Sequence, residues 1–132
     1  MTRREFNQVV EGALALLPQV IRRTLDNLAV IVEDRPSSTE LEDMGFGRDD
    51  VLFGLFKGIP LSERSFFDLG GHLPNQIILY QQELEDCCSN RGQLVEEITL
   101  TLVHEVGHYL GLNEEELRQL EREATGRLSA GS

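Results

Sequence analysis

Between Asn90 and Gly111 this chain has the makings of one long helix, and that helix carries the stretch His104-Glu105-Val106-Gly107-His108. Asn90 is a good N-cap, and Gln93 stands at the third helical position, where a capping-box partner belongs. Gly111 is placed to stop the helix in the left-handed conformation that glycine adopts most easily. Only Gly107 weakens the interior, by about 1 kcal/mol relative to alanine. It either admits close approach of another backbone near the histidines or is simply tolerated. Helical spacing gathers Val95, Ile98, Leu102, Val106 and Tyr109 into one apolar stripe. His104 and His108 fall on another side, with Thr101 and Glu97. The rest of the chain must therefore cover one face of this helix and leave another for chemistry.

Residues four apart on a helix lie about 5–6 Å apart at Cβ, and a zinc–imidazole bond is about 2.0–2.1 Å. His104 and His108 can thus grip one ion. Glu105 can face a water on that ion without ligating it. This is the H-E-x-x-H pattern of zinc hydrolases, with the glutamate as general base. The same five letters occur by chance on solvated helices, but here two of the chain's three histidines and a well-capped helix support the pattern. After Gly111, Asn113 and Glu116 form a second capping box, so a new helix starts at once and the chain turns sharply. Such a turn can return a third ligand. The sixth residue after His108 is Glu114, and it is the expected third ligand, with Glu115, Glu121 and Glu123 as alternatives. Glu114, Glu115 and Glu116 would also suit the helix dipole without any metal. A glutamate far downstream fits poorly, because little chain remains after His108.

With 132 residues the chain is expected to form one domain, 1–128, with residues 129–132 a frayed tail. Its 40% hydrophobic and 27% charged content is that of an ordinary globular protein. A net charge of −11 argues against nucleic acid and anionic membranes as partners. No apolar run approaches the roughly 20 residues of a membrane span. Glu5, Asn7 and Glu11 interrupt any signal-peptide core behind Arg3 and Arg4. The two cysteines, Cys87 and Cys88, are adjacent and make no disulfide framework, so a reduced, cytoplasmic setting is expected. Nothing in their spacing supports a part in the metal site. His72, in Leu69-Gly70-Gly71-His72-Leu73-Pro74, reads better as an exposed loop histidine than as a ligand or oxyanion donor.

Along the chain, Thr2 and Glu5 open an amphipathic helix that runs to Pro18, and a short helix covers residues 19–25. Residues 28–33 (LAVIVE), 51–59 (VLFGLFKGI) and 77–81 (IILYQ) read as strands. Short helices are expected at 37–43 and 82–88, and a last one from Glu114 to about Gly126. The sum is an α+β domain with a small mixed sheet.

These segments, taken in order, resemble the small bacterial minimal zincin family of metallopeptidases. The resemblance rests on the Leu17-Pro18 break after the first helix, the Val-rich strand from Val30 to Asp34, the segment from Gly54 to Leu61, that from Leu73 to Tyr80, and the H-E-x-x-H-x-x-G helix. It implies a compact zincin-like fold in which His104 and His108 bind zinc, Glu105 is the catalytic base, and the third-ligand position falls on Glu114. The methionines are Met1 and Met44, so the methionine turn of full metzincins is absent.

The expectation is therefore a monomeric zinc metallopeptidase acting on a peptide or protein substrate. Strand 77–81 would align the peptide by edge pairing, and Tyr80, Tyr109 or His72 would be the available oxyanion donors. The rival expectation is a metal-binding interaction domain without turnover.

Overall fold

A computed structural model describes residues 1–47, 50–58 and 75–130 of the chain. The elements follow in the order α1 (Arg3–Ala15), α2 (Gln19–Leu25), β1 (Ala29–Glu33), α3 (Ser38–Asp43), β2 (Gly54–Lys57), β3 (Gln76–Tyr80), α4 (Gln81–Cys87), α5 (Arg91–Leu110) and α6 (Glu114–Ala130). The expected α+β class holds, with a three-stranded mixed sheet ordered β1-β3-β2. Strand β1 is parallel to β3, with Ile31 opposite Ile78, and β2 is antiparallel to it, with Leu55 opposite Ile78.

That order corrects one expectation. Strand β3 is central, hydrogen-bonded on both sides, and cannot offer an edge to a peptide. Its sequence carries the reason: Ile77, Ile78, Leu79 and Tyr80 are all buried, the continuous apolar run of a strand covered on both faces. Because alternate side chains leave opposite faces, Ile77 and Leu79 join the main core while Ile78 and Tyr80 join a second cluster with Leu52. Strand β2 is shorter than the apolar stretch around it, and β3 stops at Tyr80 because Gln81 already begins α4.

The main core packs Phe6, Val9, Val10 and Ala13 of α1 and Leu17 and Ile21 beside it against Ile98, Leu102, Val103 and Val106 of α5. Thr2 caps α1 by accepting from the Glu5 amide at 3.1 Å. On the far side of the sheet, α3 is held by a full capping box at Ser37 and Glu40. The buried Tyr80 hydroxyl donates to Glu40 Oε2 at 2.7 Å, and Lys57 Nζ lies 3.3 Å from the same oxygen. Arg3 ties the start of α1 to the sheet by donating to the Val32 carbonyl and to Gln81, each at 2.7 Å. Helix α6 runs to Ala130, past the expected end near Gly126. Among the described residues, no helix is long and apolar enough to cross a membrane.

Candidate metal centre

Helix α5 is built at both ends as its sequence dictates. The Asn90 side chain accepts from the Gln93 amide at 2.9 Å, and the Gln93 side chain accepts from the Ser89 amide at 2.7 Å. At the other end Gly111 takes φ 72°, ψ 31°, the left-handed stop. The Leu112 amide then reaches back to the Gly107 carbonyl at 3.0 Å. Asn113 and Glu116 make reciprocal bonds of 2.8 and 3.1 Å, which start α6 immediately.

The result is a helical hairpin with α6 folded back along α5 and the Leu117 side chain packed over Gly107. A Cβ at that position would lie 2.5 Å from Leu117 Cδ1. The close backbone approach expected at Gly107 is not what is found: the near neighbours are the side chains of Leu117 and Leu112. Four residues further along α6 and three back along α5, Glu121 Oε1 comes to 3.5 Å from His104 Nδ1.

Metal-binding atoms of His104, Glu105 and His108 all lie within 4.8 Å of one another. The two rings stand edge to face with centroids 4.5 Å apart. Two nitrogens on one zinc ion cannot be more than about 4.2 Å apart, given bonds of about 2.0–2.1 Å. Small side-chain rotations therefore suffice to close the bite. The rings are about half-exposed, so an ion can reach them, and the imidazole–carboxylate chemistry suits a divalent metal.

Glu105 is set differently, being only 7% exposed. In an antiparallel pair, successive backbone groups point alternately toward the partner and away from it. The Phe56 amide on edge strand β2 points away from β3 and donates to Glu105 Oε1 at 2.9 Å. The same oxygen lies 3.4 Å from His108 Nδ1. That carboxylate, helped by the more distant Glu114, holds the His108 imidazole above its ordinary pKa, against the opposing effect of burial. Thr101 is also buried, because α5 lies close against β2: a Cβ on Gly54 would meet Thr101 Cγ2 at 2.5 Å and the Ile78 carbonyl oxygen at 3.0 Å. The helix face expected to be open is thus exposed at the histidines and closed at Thr101 and Glu105.

A cleft of about 540 Å³ opens over this group. His104, Glu105, His108 and Glu121 line part of it, and Met44, Phe46, Leu52, Leu55 and Leu100 supply much of the remaining wall. Glu114 stands in the first turn of α6, and Glu121 rather than Glu114 lines the cleft. The Tyr80 hydroxyl is engaged by Glu40 on the other side of the sheet, and Tyr109 is buried with its ring 5.6 Å from Phe56, centroid to centroid. His72 lies outside the described residues.

The Phe56 contact is a backbone contribution and leaves no mark on residue type, so the sequence could not show it. Glu121 was among the alternative third ligands there, and it sits a helical turn beyond Leu117, on the same face of α6. A sequence model of a family described as zincin-like metallopeptidase matches residues 25–124. No curated protein matches the chain.

Proposed function

Because this chain belongs to the zincin-like metallopeptidase family, we propose that it hydrolyses peptide bonds, with His104, His108 and Glu121 holding a zinc ion and Glu105 acting as general base. The observation that carries this reading is the His104–Glu105–His108 group, with its metal-binding atoms within 4.8 Å, in a cleft with an apolar wall. When bound there, zinc would lower the pKa of a water toward about 7 and polarise the carbonyl under attack.

The rest falls to the chain's own residues. Glu105 takes the proton of the attacking water and passes it to the leaving amine, a role typically contributing about 10²–10⁴-fold to rate. Its carboxylate is steadied at Oε1 by the Phe56 amide, and Oε2 takes that proton. Glu121 is favoured over Glu114 as third ligand by its place beside His104. Met44, Phe46, Leu52, Leu55 and Leu100 favour a substrate with a large apolar side chain near the scissile bond.

The test is zinc content by elemental analysis together with cleavage of a peptide library. Wild type is expected to carry near-stoichiometric zinc and to cleave, His108→Ala to lose both, and Glu105→Gln to keep zinc and lose cleavage. Undiminished cleavage by Glu105→Gln would sink the mechanism. Zinc binding with no cleavage of any library member would leave a metal-dependent interaction domain as the better account.

A further inference from the structure

Cys87 is the last residue of α4 and Cys88 is its C-cap, with Cys88 in an extended conformation at φ −116°, ψ 142°. The backbone thus breaks from helical to extended between them. Neighbouring side chains diverge by about 100° in a continuous helix and point to opposite faces in a strand. A helical-then-extended step, the pattern of a type VIII turn, does neither. Here it leaves the two Sγ atoms 3.2 Å apart, in thiol–thiol contact. Cys87 is exposed, while Cys88 is half-buried and packs against the main core.

We propose that Cys87 and Cys88 form a reversible oxidation site, in which a hydroperoxide converts the pair to a disulfide between neighbours. The first step belongs to Cys87, which solvent reaches. Its thiolate attacks the O–O bond, keeps one oxygen as sulfenic acid, and releases the other as water after protonation. The Cys88 sulfur then attacks the sulfenic sulfur, forms the S–S bond and expels the second oxygen as water, to which its own proton goes. Two thiols lose two electrons and two protons in all, and hydrogen peroxide becomes two waters.

Environment supports this order of events. Burial, then the neighbouring thiol, pushes Cys88 up to about 12, so it meets peroxide poorly in the bulk. It can act on a sulfenic sulfur held beside it, where proximity replaces encounter. The bond would also be easy to reopen. Adjacent Cα atoms are about 3.8 Å apart across a trans peptide, below the roughly 4.4–6.8 Å of ordinary disulfides. Strained bridges of this kind belong to the labile, reversible class.

The experiment is stoichiometric hydrogen peroxide on the whole chain, followed by alkylation, intact-mass measurement and fragment mapping. The expected result is a loss of two hydrogens, confined to the fragment holding both cysteines. Neither cysteine should then be alkylated, no interchain dimer should form, and dithiothreitol should restore both thiols. Cys88→Ala is expected to strand Cys87 as a sulfenic acid that a dimedone probe captures. Three results would overturn the proposal: Cys87 over-oxidised while Cys88 still alkylates, two chains joined through Cys87, or an unchanged thiol titre. The wild-type measurements decide the matter even if the variant folds poorly, and none depends on metal or peptidase activity.

Discussion

His104, Glu105 and His108 could be read from the sequence because their relation is local: four residues along a helix bring two imidazoles together whatever surrounds them. Glu121 could be offered only as one alternative among several, since its position depends on how α6 packs onto α5, where Leu117 lies over Gly107. Two variants weigh Glu121 against the expected Glu114. Glu121→Gln should weaken zinc binding by more than the roughly 10–100-fold that loss of an outer-shell partner costs, and Glu114→Gln should change it only a few-fold. Competition against a chromophoric chelator reads both, and the reverse ordering would restore Glu114 as ligand. The Glu105–His108 contact has its own consequence. Zinc needs a neutral imidazole, and Glu105 favours the protonated one, so the His108 pKa is raised. As pH falls, the proton therefore begins to compete with zinc above the ordinary histidine value of about 6.5. In Glu105→Gln that onset should move to lower pH, as zinc titrations at a series of pH values would show. An onset that does not move would mean that the two side chains are uncoupled.

At the level of elements, the periodicities located the helices and strands, but they carried no information about which strand lies next to which. Strand β1 pairs with β3 across the intervening stretch that holds α3 and β2, a non-local choice made by burial. The apolar run of β3 was the available clue, because a strand buried on both faces belongs in the middle of a sheet. The edges fall to β1 and β2, and at Gly54 strand β2 lies close against α5. Gly54→Ala ought to gain about 0.5–1 kcal/mol from lower chain entropy in a strand. Against this, its methyl group would run into Thr101 Cγ2 and the Ile78 carbonyl oxygen, an overpacking that typically costs about 1–3 kcal/mol. We expect a net destabilisation of about 1–2 kcal/mol, visible as a lower urea midpoint with unchanged slope. Moving β2 away from α5 should also loosen the Phe56–Glu105 hydrogen bond, so zinc-loaded Gly54→Ala should lose peptide cleavage more than zinc affinity. A midpoint that rises instead would show that α5 and β2 can separate freely.

For the whole molecule, the question is how far folding depends on the metal. Small zinc modules that lack a core are unfolded without their ion. Here the core is assembled by Phe6, Val9, Ala13, Leu17 and Ile21 against Ile98, Leu102 and Val106, with Ile77 and Leu79 beneath. None of these is a candidate ligand. His104 and His108 sit half-exposed at the rim of that core, and the one buried member of the group, Glu105, already has the Phe56 amide as partner. Zinc should therefore act as a ligand of a folded protein rather than as a condition of folding. The chelated chain is expected to keep its helical circular dichroism and to melt cooperatively. Free zinc at a hundred times its dissociation constant should stabilise it by about 2.7 kcal/mol, which for a chain of this size raises the melting temperature by on the order of 10 °C. His108→Ala should melt close to the chelated wild type and respond little to zinc. A chelated wild type that loses its helical signal outright would contradict this account, because the site would then hold the fold together and the apolar core would not suffice alone.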